Sequence, residues 1–307
     1  MSGPILHHYG TSPFSEKVRV AFGIKQLGWR SVKIPPMMPK PDLTPLTGGY
    51  RKTPVMQIGA DIFCDTQIIL REIERRHPQP SLFPGLSKGL AEGVAYWADH
   101  QLFAVCVAIA FGIMGEQMPD AFLEDRAKFS GRPIDRTKLK RQSAVMHGPL
   151  RAHLGWVEEA LSDGRAFLFG DAPSLADLAV YHGVWFVRDR AKSDAVADYA
   201  KLNTWADRMK AFGHGTYTEM DGKEALAIAA QAQPMAMPGG VAPNALGLSL
   251  NDTVSVTPDD TGRDPVVGQL VALDAQSITI RRASEETGEV QVHFPRAGFI
   301  LVPHKGQ

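Results

Sequence analysis

The chain of 307 residues sets 33 lysines and arginines against 33 aspartates and glutamates, so it offers no net basic field to hold a nucleic acid backbone. Two cysteines exclude a disulfide framework, and the N-terminus lacks the apolar core of a secretory signal, which together imply a reducing, cytoplasmic location. The longest apolar run, Leu102 to Met114, falls short of the roughly 20 residues needed to cross a bilayer and reads as buried helix with no membrane contact.

Residues 1–82 alternate element types. A strand is expected at Ile5 to Tyr9, a helix from Pro13 to Leu27, a strand at Arg30 to Ile34, then a Pro-rich loop. Short strands follow at Val55 to Ile58 and Asp61 to Cys64, then a helix over Thr66 to Arg76. Residues 86–233 read as an all-helical block. Leu86, Leu90, Val94, Trp97, Leu102, Val105, Ile109 and Ile113 form the apolar stripe of one long helix. Further helices are expected at Thr137 to Leu161, from Ser174, at Asp198 to Phe212 and at Gly222 to Gln233. Prolines and glycines mark 234–245 as a linker. From 246 to 307 the apolar period drops to two, as in Val254 and Val256 or Ile278 and Ile280, and four or five short strands read as a small all-β barrel.

Several residues carry potential chemistry. Ser12 followed by Pro13 suits a helix start, and the same place gathers a hydroxyl and free backbone donors where an anion such as a thiolate is favoured. Asp65 and Thr66 open another helix, where Asp65 can pair with an ammonium and Thr66 can present hydroxyl and N–H to a carboxylate, or the two can simply cap it. Ser174 and Asp177 have capping-box spacing and read as folding chemistry. His7 and His8 point to opposite faces of a strand, and no histidine or cysteine spacing suggests a metal. Cys64 reads as a small buried residue, and Tyr96, Trp97 and His100 as helix core or as the lining of a substrate pocket. Residues 1–80 hold eleven Lys or Arg against six Asp or Glu, which suits a dicarboxylate ligand as well as a solvated face.

The segments "YGTSPFSEKVRVAF" and "YRKTPVMQIGADIFCDTQIIL" resemble, in order and separation, the first strand-to-helix turn and the proline-containing strand of the glutathione S-transferases. The resemblance spans about residues 4–230 and leaves the β-domain uncovered. It implies a thioredoxin-like α/β domain followed by a helical domain, a homodimer, and glutathione as co-substrate with a small electrophile. It places Ser12 at the glutathione sulfur, with Tyr9 a second candidate. Thr53 and a cis Pro54 would pair with the tripeptide backbone, Asp65 and Thr66 would hold its γ-glutamyl end, and Lys52 its glycyl carboxylate. The stretch "SPFS" has no cysteine, which argues against disulfide exchange and for conjugation. Two alternatives remain open: a glutathione-dependent isomerase or reductive lyase, and a non-catalytic glutathione-binding protein whose β-domain recruits a partner.

Overall fold

The computed structural model describes residues 3–85, 87–237 and 239–304; Leu86 of the expected stripe, Pro238 of the expected linker and residues 305–307 lie outside them. The N-terminal unit runs β1 (Ile5–His8), α1 (Pro13–Ile24), β2 (Gly28–Lys33), α2 (Thr44–Thr47), β3 (Val55–Ile58), β4 (Asp61–Cys64) and α3 (Thr66–Arg76). Strand β1 pairs in parallel with β2 and antiparallel with β3, and β3 pairs antiparallel with β4, which is the thioredoxin-like arrangement. All four residues of β1 and of β4 are buried, because helices pack on one face of this sheet and further apolar side chains on the other.

The helical unit holds α4 (Lys88–Trp97), α5 (Phe103–Met114), α6 (Asp120–Ser130), α7 (Arg136–Ala160), α8 (Leu175–Trp185) and α9 (Ala200–Ala211). A π-helical turn at Ala98–Leu102 joins α4 to α5, and a second follows α8 at Phe186–Arg190. The continuous helical stretch Lys88–Gln117 is long and apolar enough by composition to span a bilayer, longer than the apolar run alone suggests. Its Leu102, Cys106, Ile109 and Ala110 instead share a protein core with Leu150 and Leu154 of α7 and Leu178 of α8. Ser174 and Asp177 make the expected capping box, and Asp177 also accepts from Leu168 N at 2.8 Å and Trp205 Nε1 at 2.9 Å.

Three elements escape the sequence reading. Helix α6 buries only Leu123 and so carries no apolar stripe, and α2 is a single turn. The block 86–233 is not wholly helical: β5 (Thr216–Met220) pairs in parallel with β2. Four of its five residues are exposed, so it lacks the alternation that marks a half-buried strand; it forms because β2 offers an open edge. Helix α10 (Gly222–Gln231) follows it.

The C-terminal segment supplies β6 (Thr253–Pro258), β7 (Val266–Leu273), β8 (Ser277–Ser284), β9 (Gly288–Pro295) and β10 (Phe299–Pro303). They form a sheet that joins the thioredoxin-like one, giving one ten-stranded order β10-β6-β7-β8-β9-β4-β3-β1-β2-β5. The junction is parallel, with Asp61, Ile62 and Phe63 of β4 opposite Gln291, Val292 and His293 of β9. Ile62, Val55 and Tyr50 share a single apolar core with Val256, Ile280, Val292 and Phe294. The Pro- and Gly-rich stretch is not a free tether, since Met235 N donates to Asp61 Oδ2 at 2.9 Å and Ala242 N to Leu273 O at 2.8 Å.

A buried polar relay crosses the junction. His293 Nε2 lies 2.8 Å from Asp61 Oδ1, its Nδ1 lies 3.0 Å from Thr279 Oγ1, and its ring stacks on Phe63 at 4.5 Å. Removing one partner of a buried pair leaves an uncompensated charge. His293→Ala is therefore expected to lower unfolding free energy by about 3 kcal/mol, read from urea denaturation; a loss below about 1 kcal/mol would show that the relay does not hold the two sheets together.

Candidate functional site

A cavity of about 1050 Å³ opens where the thioredoxin-like sheet, the helical block and the C-terminal sheet meet. It is lined by all seven residues singled out from the sequence: Tyr9, Ser12, Lys52, Thr53, Pro54, Asp65 and Thr66. They come from three chain segments, and the sheet order brings those segments together by setting β1, β3 and β4 side by side.

Ser12 is the N-cap of α1, its Oγ accepting from Ser15 N at 3.2 Å. It is only 2% exposed, so its hydroxyl can be reached only through the cavity it lines. The cap uses a lone pair, so the one hydroxyl hydrogen can turn to Tyr9 or to a ligand in the cavity. Burial pushes the Tyr9 phenol above its ordinary value, opposed by the charge of Arg126 and by a hydrogen bond from Ser12. Tyr9 is thus held as a neutral phenol beside Ser12.

The Thr53-Pro54 bond is cis. At the start of α3, Asp65 has φ 93° and ψ 144°, a backbone conformation that L residues seldom adopt, and its carboxylate accepts from Gln67 N at 2.9 Å. Burial pushes the Asp65 carboxyl above its ordinary value, against the Gln67 amide and the Lys52 charge. Thr66 is 3% exposed and its Oγ1 accepts from Lys17 Nζ at 3.2 Å.

Sequence reasoning missed several charged groups that line the cavity, Asp99, Lys40 and Asp260 among them. Asp99 lines the cavity from the π-helical turn after α4, a distortion that shifts helical side chains out of register. It pairs with Lys17 Nζ at 2.6 Å and His182 Nε2 at 3.0 Å, so a buried chain Thr66–Lys17–Asp99–His182 ties the two units together. Burial works against the Asp99 charge, but Lys17 and His182 hold its carboxyl below the ordinary value. Lys40 is 4% exposed in the Pro-rich loop and donates to Arg51 O at 2.7 Å and Thr53 Oγ1 at 2.8 Å. Burial, then the charges of Arg126 and Arg51, lower it to about 8. Asp260, from the turn after β6, pairs with Lys52. None of the three sits in a periodic pattern; only the Pro-flanked Lys40 stands out locally.

The far wall is apolar. Phe103, Val107, Phe111 and Met114 of α5 line it with Phe122 and Phe129 of α6, the Phe111 and Phe122 rings lying 6.2 Å apart. The Arg126 guanidinium lies over both of those rings, at 5.1 and 4.8 Å. His100 lines the cavity with Tyr96 stacked on it at 4.0 Å, whereas Trp97 packs against His153 and Trp156 away from the site. His7 and His8 are buried, and burial lowers them to about 4 and about 3. Cys64 and Cys106 are buried thiols whose ionisation burial pushes upward. Among the described residues no three His, Cys, Asp or Glu side chains are grouped to hold a metal.

A family model described as "Glutathione S-transferase, N-terminal domain" matches residues 6–81, and one described as "Glutathione S-transferase, C-terminal domain" matches residues 139–208. The crystal structure of a GST-like protein from Pseudomonas syringae is 37% identical, covers 97% of this chain and 99% of its own, and superposes with a TM-score of 0.80. The coverage includes the C-terminal sheet. FtsZ-localized protein A of Caulobacter vibrioides is 25% identical over 210 residues, 67% of this chain and 86% of its own length. A glutathione S-transferase from Methylobacterium radiotolerans, solved with glutathione sulfonate, shares the fold with a TM-score of 0.51 at 21% identity, over 71% of this chain and 97% of its own.

The titration of Lys40 is a direct check on the site's electrostatics. The folded chain releases this proton near pH 8, whereas an unfolded lysine keeps it to about 10.4. Between those values the unfolded state binds more protons, so Lys40 makes stability rise with pH across that window. Carbon-detected NMR of the lysine Cε resonances is expected to give one midpoint near 8 that disappears in Lys40→Met; a Lys40 midpoint above about 10 would contradict the buried, cation-flanked setting.

Proposed function

Because this chain belongs to the glutathione S-transferase family, we propose that its cavity binds glutathione and activates the thiol for attack on a small apolar electrophile. The observation that carries this reading is the gathering of Ser12, Thr53, cis Pro54, Asp65 and Thr66 in one cavity that aromatic side chains also line.

In this reading Asp65 accepts from the γ-glutamyl ammonium, with Asp99 adding charge of the same sign. Thr66, whose oxygen already accepts from Lys17, turns its hydroxyl hydrogen and the α3 N-terminus to the γ-glutamyl carboxylate. Thr53 offers its backbone to the cysteinyl unit as an added strand. Lys52 and the partly titrated Lys40 supply positive charge at the glycyl end. Ser12 turns its hydroxyl hydrogen from Tyr9 to the sulfur, while the α1 dipole favours the anion. A free thiol has a pKa of about 8.5, and each unit of lowering corresponds to about 1.4 kcal/mol. One charge-assisted hydrogen bond of about 1.5–3 kcal/mol therefore lowers the thiol by about one to two units, bringing it close to neutral pH, and the α1 dipole adds to the shift. The thiolate then attacks an electrophile lying against Phe103, Phe111 and Phe122. The same site would serve an isomerisation or reductive cleavage. The absence of cysteine at Ser12 and Ser15 supports conjugation over disulfide exchange. A cytoplasmic homodimer is part of the proposal, supported only by family membership.

A second reading, a protein that keeps glutathione binding without useful turnover, is favoured by the likeness to FtsZ-localized protein A and by the pairing of Lys52 with Asp260. Kinetics separate the two. Ser12→Ala is expected to reduce kcat with an aromatic halide about 10- to 100-fold while glutathione affinity stays within about threefold. Loss of the α1 cap costs about 1 kcal/mol of stability, so a folded, less stable enzyme is the anticipated background. An unchanged kcat would remove Ser12 from the mechanism, and wild-type protein that binds glutathione yet turns over no electrophile would favour the second reading.

A further inference from the structure

The glycyl end of the pocket carries an unusual neighbour. Between β6 and β7 the chain makes a turn, Asp259 to Pro265, that reaches from the C-terminal sheet across the mouth of the cavity to α6. Asp260 and Thr261 of this turn line the cavity, together with Gly298 and Phe299 at the start of β10. Within it, Lys52 Nζ donates to Asp260 Oδ1. The turn is anchored at both ends: Asp259 N donates to Gly298 O at 3.0 Å and Gly262 N to Phe129 O at 2.8 Å, and Asp264 lies 3.8 Å from Arg51. Gly262 has φ +61°, and a Cβ there would meet the Phe129 ring at 2.5 Å, so this approach needs glycine. Asp260 is therefore a fixed wall of the pocket.

Consider what cationic capacity this leaves for a ligand. Lys40 already donates to Arg51 O and Thr53 Oγ1, and Arg51 pairs with Asp125 at 2.8 Å. With Lys52 held by Asp260, the cations beside Thr53 all have acceptors supplied by the protein. At the other end the Thr66 hydroxyl hydrogen and the α3 N-terminus remain available. Recognition is thus concentrated on the γ-glutamyl end.

We propose that Asp260 is a specificity-determining residue: it competes with the ligand's terminal carboxylate for Lys52, so the pocket selects γ-glutamyl thiols without requiring that carboxylate. This rests on the glutathione reading above. The ligand class it assigns is broader than the tripeptide and includes γ-glutamyl thiols masked at the C-terminal carboxyl.

The test is calorimetric titration of the full chain with reduced glutathione and with its glycyl monoethyl ester, which has the same framework and one carboxylate fewer. Wild-type protein is expected to bind the two within about threefold, the range of one partly exposed ion pair. In Asp260→Asn, glutathione should bind about three- to fivefold tighter and the ester be unchanged. Adding Lys52→Gln to that variant should abolish the gain, which a general loosening of the turn would not do. Equal tightening of both ligands, no tightening of either, or a wild-type preference for glutathione above about tenfold overturns the proposal while leaving the glutathione site in place. Failure of every variant to bind either thiol overturns the glutathione reading and this proposal with it.

Discussion

The pairing of β4 with β9 is the constraint on which the rest of the molecule depends. Without a neighbour, β4 would present a row of unpaired backbone groups at a sheet edge, one residue before Asp65. Covering it with β9 satisfies those groups and fixes where the C-terminal sheet sits. The same contact merges two apolar sets into one core, with Tyr50 against Phe294 and Phe299. The site and the extra sheet are consequently one mechanical unit, and the turn bearing Asp260 inherits its position over Lys52 from a ladder on the opposite side of Asp65.

Charge burial shows where folding and chemistry meet. Ionised groups leave water at a cost of several kcal/mol unless paired, yet Lys17, Lys40 and Asp99 are all nearly inaccessible. Lys17 and Asp99 offset each other across the junction between the thioredoxin-like and helical units, with Thr66 and His182 completing their hydrogen bonds. Their pairing positions Thr66 at the cavity wall. Lys40 has acceptors but no buried carboxylate in contact, and its lowered proton affinity follows. The cavity accordingly presents two distinct ends: a carboxylate pair, Asp65 and Asp99, and a cationic group already served by the protein.

Much of this was legible in the sequence because it rests on local rules. Ser12-Pro13 and Ser174…Asp177 announce helix starts, the spacing of Leu102, Val105 and Ile109 announces a core helix, and the two-residue period of Val254 or Ile278 announces strands. The positions of Tyr9, Thr53, Asp65 and Thr66 could be named through the resemblance of two short segments to the glutathione S-transferases. What stayed hidden depends on distant partners. Strand β5 is specified by the open edge of β2 and not by its own exposed residues. Helix α6 buries only Leu123 and is placed by Phe129 and Arg126 packing over the site. Asp99 reaches the cavity through a π-helical turn that no residue in "ADHQL" signals, and Asp260 lies 208 positions from Lys52. Asp61, on a strand far earlier in the chain, accepts from Met235 of the expected 234–245 linker, a contact that no local signal announces.

Occupancy of this cavity by a γ-glutamyl thiol, with its γ-glutamyl end at Asp65 and Thr66, is the central proposal. The most direct measurement is amide chemical-shift mapping during titration with reduced glutathione. Perturbations are expected to centre on Ser12, Thr53, Asp65 and Thr66, with weaker ones at Asp99 and in the turn around Asp260. Perturbations confined to the C-terminal sheet or to the outer face of the helices, or none at saturating thiol, would contradict the proposal.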